Sequence, residues 1–344
     1  MTVRVGVVGF GTIGKRVADA IAKQKDMVLV GVAKTKPDYG ALEALSKGYA
    51  LYAPRDRIEA FKKVGIEVAG TIEDLVKEVD VVIDATPGGV GARNRALYEK
   101  LGVKAVFQGG EEPEVAEASF CALANFEEAW GKKFVRVVSC NTTAIARFVA
   151  ALKLGGIGVK RVRVFIARRG ADPREYKRGP INDFVLNPPA IPSHHARDVL
   201  TVVKDVDVVT AAIATPVTIS HAHFVYAELS EPVARDEVLE VLRKTPRIAL
   251  FSSERGFVSV AQVLEWARDI GRPRGDVPEN IVFEDCLWVR GRELVAVMAV
   301  HQESIVIPEN VDAVRAVAQS MEKWESIRET DLSLGLLVEG KVYG

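Results

Sequence analysis

The chain of 344 residues is long enough for two domains at roughly 150 residues each, and with 48% hydrophobic and 27% charged residues it reads as a soluble globular protein with a substantial core. Its 46 basic and 46 acidic side chains give a formal charge of zero, which argues against a bulk electrostatic grip on nucleic acid or a membrane surface. Three cysteines form no disulfide framework, the start MTVRVGVVGFG carries no leader signal, and no apolar run nears the ~20 residues of a membrane span, so a cytoplasmic protein is expected.

In chain order, the first 140 residues alternate strands and helices. Val3–Val8 is a short β-branched run of the kind buried on both faces of a parallel sheet. Gly9-Phe10-Gly11-Thr12-Ile13-Gly14 then turns into a helix over 15–25, with apolar residues at helical spacing. A second strand follows at 28–33 and a short helix at 71–79, where Thr71 is placed to cap the free amides and Asp74 lies in the first turn. Strands at 81–85, 104–108 and 134–139 each run into polar or Gly-rich residues (TPGG, GGE, CNTT), and ligand sites of open parallel sheets lie at such carboxyl ends.

After about residue 155 the pattern changes, with strands at 160–167, 207–213 and 222–229 and no obvious helix after each. Residues 281–306 read as a long hairpin turning near Arg290-Gly291-Arg292, and 235–244 and 258–270 as amphipathic helices. A last helix is expected from 309–310 to about 326. The fold class is therefore an α/β Rossmann-type doubly wound parallel sheet plus an α+β catalytic domain with a mostly antiparallel sheet. The expected division is residues 1–139 for the dinucleotide-binding domain, with 309–344 packing back on it, and 140–308 for the catalytic domain.

The run Gly9, Gly11, Gly14 is a G-x-G-x-x-G between a strand and a helix, where a pyrophosphate can approach main-chain amides and the positive end of the helix dipole. An acidic residue at the end of the second strand would favour NAD, but Lys34 and Thr35 stand there and suit the extra phosphate of NADP, without excluding NAD. Cys140, in Ser139-Cys140-Asn141-Thr142-Thr143, falls at a helix start, where partial positive charge favours thiolate. Cys121 and Cys286 lie in apolar surroundings and read as packing residues. A cysteine nucleophile needs a group that can serve as base and acid, and all five histidines lie beyond it. His221 and His223 share one face of a strand, and a metal pair there would want a third ligand that the motif does not supply, so no metal is expected.

Taken together, these motifs resemble the archaeal-type, phosphorylating glyceraldehyde-3-phosphate dehydrogenases. The resemblance spans essentially the whole chain and rests on GFGTIGKRVADAI, VAKT, FQGGE, SCNTTA, GPIND, PSHHARDV, HAHF and AVHQESIVIPEN. It implies reversible oxidation of D-glyceraldehyde 3-phosphate with inorganic phosphate to 1,3-bisphosphoglycerate, with NADP or NAD and use of both, in glycolysis or gluconeogenesis by a cytoplasmic homotetramer. Residue by residue, it implies Cys140 as nucleophile and His221 as base, with His223 second, and Ser139 and Asn141 as substrate contacts. His194 and His195 would meet the substrate phosphate, with Thr142, Thr143, Arg168, Arg169 and Arg197 as further anion donors. The cofactor would meet Thr12 and Ile13 through the main chain, Gly110, Gln302, and one of Arg168 and Arg169. Phe10, where the family commonly has Tyr, is a departure outside the chemistry. The competing expectations are another cysteine-dependent semialdehyde or aldehyde dehydrogenase, or a non-catalytic nucleotide sensor.

Overall fold

Short β-branched runs set up the first of two sheets in the computed structural model, which describes residues 2–108, 110–171 and 182–344. Gly109 of FQGGE and most of GPIND therefore lie outside the described residues. The chain divides into two units, one formed by the residues through Ser139 together with Ile307–Leu334, the other by Cys140–Val306 together with Gly335–Gly344.

The first unit is built on β1 (Val3–Val8), β2 (Met27–Ala33), β3 (Leu51–Ala53), β4 (Gly70–Thr71), β5 (Val81–Asp84), β6 (Lys104–Gln108), β7 (Ala118–Phe120) and β8 (Phe134–Val137). All pair in parallel, in the order β4-β3-β2-β1-β5-β6-β8-β7. Chain order reverses between β1 and β5, and a crevice for a ligand opens at such a switch point. Helix Ile72–Lys77 starts as expected: Thr71 Oγ1 accepts from the Asp74 amide (3.2 Å), and the Asp74 carboxylate accepts from the Thr71 amide (3.0 Å).

The expected single C-terminal helix is two helices, Ile307–Ala318 and Lys323–Leu334, broken where Gln319 adopts φ +57°. Gly131 N–H donates to the Ala316 carbonyl (3.0 Å) and Lys104 Nζ to that of Val317, so the last carbonyls are satisfied from outside and the helix stops. Arg315, wholly buried, joins the two helices to the sheet through Asp26 (2.7 and 2.8 Å), Gln24 (2.9 Å) and Thr330 (2.7 Å).

The second unit holds β9 (Val159–Arg169), β10 (Val185–Leu186), β11 (Asp207–Thr215), β12 (His221–Leu229), β13 (Ile248–Phe251), β14 (Asn280–Phe283), β15 (Trp288–Arg290) and β16 (Glu293–Val300). The order is β10-β11-β9-β12-β16-β14-β13, with β15 also on β16; only the β11–β9 and β14–β13 pairs are parallel. The expected hairpin turns at Gly291 (φ +59°), but its incoming arm is broken by the turn Glu284–Cys286 and its outgoing arm ends at Val300. Arg235 takes the carbonyls of Glu284 (2.8 Å) and Leu287 (2.9 Å), which holds that interruption in place. Helix Cys140–Leu154 is buried from Asn141 to Leu152, as an all-round apolar sequence requires. Its one central charge, Arg147, donates to the carbonyls of Pro278 (2.6 Å) and Ile305 (2.8 Å).

Candidate active site

In the first unit, β1 delivers the chain into Gly9 at φ +99°, and a Cβ there would lie 2.7 Å from the backbone of Ala85 and Thr86 at the end of β5. A Cβ on Gly14 would fall 1.9 Å from the Gly9 carbonyl oxygen, so the helix can meet the turn only without a side chain. Gly11 has open space around its would-be Cβ, and no side chain caps helix Thr12–Ala22. The amides of Thr12 and Ile13 thus begin a helix without a side-chain cap, the kind of terminus that could hold the pyrophosphate of a dinucleotide. A Cβ on Gly110 would lie 3.3 Å from the Gly88 Cα, so two of the Gly-rich strand ends come close.

At the end of β2, Lys34 Nζ stands 3.1 Å from Asp38 Oδ1 and 3.4 Å from the Phe10 carbonyl, while Thr35 is exposed. Asp38 also accepts from Gly40 N–H (2.8 Å) at the start of helix Tyr39–Ser46. Burial works to raise its carboxyl, but Lys34 overcomes that and holds it below the usual range. The sequence reading found the cation and missed this acidic partner, four residues on.

In the second unit, Cys140 is the first residue of its helix and half-buried. The helix start and the nearby Arg168 and Arg169 favour thiolate, yet burial dominates and pushes the thiol up to about 11. The expectation of a resting thiolate is corrected accordingly: desolvation outweighs the dipole. Ser139 is half-buried beside it, whereas Thr142 and Thr143 are wholly buried, main chain and side chain alike.

Asn141, 2% exposed, joins two of the histidines. Its Oδ1 accepts from His223 Nε2 (2.8 Å) and its Nδ2 donates to His195 Nε2 (3.3 Å). The amide fixes both tautomers: His195 carries its proton on Nδ1, donates it to Ser193 Oγ (3.1 Å), and Ser193 continues to Thr210 Oγ1 (2.6 Å). Burial lowers His195 to about 2 and His223 to about 3, so both rings are neutral. His221 accepts the Arg169 main-chain N–H at Nδ1 (3.0 Å), which puts its own proton on Nε2, and burial holds it well below the ordinary value. His221 Nε2 and His223 Nδ1 are buried without a hydrogen-bond partner among the described residues.

Of the paired arginines, Arg168 donates to Asn187 Oδ1 (2.9 Å) and Arg169 forms a buried ion pair with Glu303. Gln302 is half-buried in the turn after β16, and His194 and Arg197 are exposed on helix His194–Leu200, three residues apart on one face. Glu303, His301 and Ser193 were not anticipated, although two ionisable residues inside the apolar run AVMAVHQESIVI were the available signal. Among the described residues no cluster of His, Cys, Asp and Glu suits a metal ion.

Residues 139–272 match the family described as glyceraldehyde 3-phosphate dehydrogenase, C-terminal domain, and residues 3–108 that described as dihydrodipicolinate reductase, N-terminus. The chain is 60% identical to a glyceraldehyde-3-phosphate dehydrogenase of Pyrobaculum arsenaticum, over 99% of its own length and 100% of the relative. Identity to the Hyperthermus butylicus protein of that name is 54% over 97% of this chain and 98% of the relative. For Sulfolobus acidocaldarius it is 49% over 99% and 98%. The solved aspartate semialdehyde dehydrogenase II of Vibrio cholerae, complexed with ASA, has a TM-score of 0.66 at 12% identity over 94% of this chain and 100% of that one, a likeness of fold.

Proposed function

The chain belongs to the glyceraldehyde-3-phosphate dehydrogenase family, and from that premise we infer how its residues carry the NAD(P)-dependent, phosphorylating oxidation of D-glyceraldehyde 3-phosphate. The observation that carries the reading is Cys140 at the first position of a buried helix, in a unit that also presents two neutral imidazoles with unpartnered nitrogens.

Cys140 Sγ adds to the aldehyde carbon, and the thiol proton ends on the former carbonyl oxygen, giving a thiohemiacetal. The nicotinamide, when bound, supplies the acceptor for the hydride on that carbon. Loss of the hydroxyl proton with the hydride leaves an acyl thioester on Cys140. An oxygen of inorganic phosphate then attacks the acyl carbon and expels the sulfur, releasing 1,3-bisphosphoglycerate. The covalent intermediate divides one difficult oxidation into two easier steps.

His221 is the proton-handling group of this scheme. With Nδ1 taken by the Arg169 amide, its Nε2–H first donates to the substrate oxygen as sulfur adds, and it can remove the hydroxyl proton only by exchanging that tautomer. His223 keeps a free Nδ1 lone pair and is the second candidate. His195 has both ring nitrogens taken up inside the protein, which assigns it to holding Asn141. His194, Arg197 and Arg168, whose partner Asn187 is neutral, are then the groups for phosphate oxygens, with half-buried Ser139 next to Cys140.

The cofactor cradle is Gly9, Gly11, Thr12, Ile13, Gly14 and Gly110, with Lys34 and Thr35 at the adenosine end. Lys34 suits a 2′-phosphate and Asp38 suits the ribose hydroxyls of NAD, which supports use of both. The setting is cytoplasmic glycolysis or gluconeogenesis by a homotetramer; among the described residues no helix is long and apolar enough to cross a membrane.

The test is NADPH or NADH formation from glyceraldehyde 3-phosphate with and without phosphate or arsenate. Turnover that requires either anion, and that Cys140→Ser abolishes while cofactor still binds, is the expected result. Turnover indifferent to phosphate points to a non-phosphorylating enzyme, and none with any aldehyde to a nucleotide sensor.

A further inference from the structure

The turn that follows β16 carries an ion pair that the reaction scheme above does not use. Glu303 is 4% exposed and closes on the guanidinium of Arg169, itself 6% exposed. On its other side His301 Nε2 approaches Glu303 Oε2 at 3.2 Å. The His301 ring is fixed in turn, because its Nδ1 accepts the Val277 amide (3.1 Å) and faces Ser304 Oγ (3.0 Å), which leaves its proton on Nε2, the nitrogen nearer the carboxylate. Burial works to raise the Glu303 carboxyl, but His301 and Arg169 overcome it and bring it down to about 2, so it is an anion throughout the working range.

A buried ion pair of this kind contributes little net stability, because desolvation offsets its attraction. What it does supply here is geometry. Arg169 is the last residue of β9, and its main-chain N–H is the donor that sets the ring of His221, the first residue of β12. Holding the Arg169 side chain therefore holds the amide that aims His221 Nε2.

We propose that Glu303, backed by His301, is a positioning residue for the dehydrogenase reaction, holding Arg169 so that its main-chain N–H keeps the His221 ring in one orientation. This rests on the reading of Cys140 and His221 given above. A second consequence is electrostatic. The charged groups around Cys140 are Arg168 and Arg169, which favour thiolate, and Glu303, which opposes it. Those around His221 are His223, Arg169, Arg168 and His195. Removing the Glu303 charge thus removes the group that opposes thiolate and eases ionisation of Cys140, while the imidazole loses its alignment.

Glu303→Gln, made in the full chain, separates this from a merely structural role. We expect kcat to fall roughly tenfold to a hundredfold, the scale of a small misplacement of a reacting group, with KM for aldehyde and cofactor within about twofold. Iodoacetamide modification of Cys140, followed across pH, should move its midpoint to lower pH, and Glu303→Asp should recover both kcat and midpoint in part. If Glu303→Gln does not fold, His301→Gln should lower kcat by a smaller factor without moving the alkylation midpoint to lower pH, because Glu303 keeps its charge. An unchanged kcat in either variant, or a fall in kcat of Glu303→Gln with its alkylation midpoint unmoved, overturns the proposal. Failure of the underlying reading is seen separately, as native protein that keeps turning over after stoichiometric alkylation of Cys140.

Discussion

Cys140 shows how far a single position can be read from sequence. SCNTTA after a strand placed it at a helix start, and the structure puts it there, but its thiol is raised to about 11 because burial is a tertiary property that no local motif reports. Alkylation of Cys140 in the ligand-free protein, mapped apart from that of exposed Cys286, should accordingly rise about tenfold per pH unit from pH 7 toward pH 10, since the thiolate fraction grows with pH below the pKa. A rate that levels off by about pH 9 would show an ordinary or depressed thiol instead. The histidines divide in a similar way: HAHF announced two imidazoles on one face, while their tautomers depended on Asn141 and on the Arg169 amide. His221→Asn should lower kcat by roughly 10²–10⁴-fold, the usual range for proton-transfer help, and more than His223→Asn does. The reverse ranking in steady-state kinetics would transfer the role to His223. At the adenosine end, Lys34→Ala should raise KM for NADP about tenfold and leave that for NAD within about twofold, the scale of one charge-assisted hydrogen bond. Equal effects on both cofactors would detach Lys34 from the 2′-phosphate.

Elements were legible where local chemistry decides them. The Thr71–Asp74 capping box, the strand β1 and the glycine turn are each set by a few adjacent residues, and each lies where the sequence put it. The glycine turn also carries the firmest steric prediction. Gly14→Ala would set a methyl group 1.9 Å from the Gly9 oxygen, so the helix must back away from the turn. Thermal unfolding should report a loss of roughly 1–3 kcal/mol, as for other overpacked sites, and cofactor titration by fluorescence a large drop in affinity. Native affinity in that variant would show that the turn does not cradle the pyrophosphate. Boundaries set by distant partners were not legible. The C-terminal helix breaks at Gln319 because Gly131 and Lys104 take its carbonyls, and the hairpin arm is interrupted where Arg235 takes those of Glu284 and Leu287. The short strands β3, β4 and β7 also escaped notice, being two or three residues long and held by their neighbours rather than by their own pattern.

For the whole molecule, the sheet of the second unit leaves an aromatic row uncovered by the described residues. Phe165 (46% exposed) pairs directly across the strands with Phe224 (53% exposed), and Ala211 and Val297 extend the row on either side. An exposed apolar face of this kind would suit the interface of the proposed assembly of identical chains. Replacing Phe165 and Phe224 together by Glu should yield a smaller species in sedimentation velocity, with the monomer's secondary structure kept. An undiminished particle would place the interface elsewhere. The alternating apolar and polar residues of β9 and β12 made the sheet readable, whereas nothing in them told a solvated face from one that meets a partner.

Because the chain leaves the first unit at Ser139 and returns to it at Ile307, the polypeptide synthesised earliest stays unfinished longest. A nascent chain that has released only its first 139 residues lacks the helix whose Val311 and Val314 are wholly buried, and lacks the guanidinium that Asp26 and Gln24 bind. The intervening unit, apart from its last ten residues, has emerged before that helix. During translation the first unit thus waits longest between its opening strands and the helices that complete it.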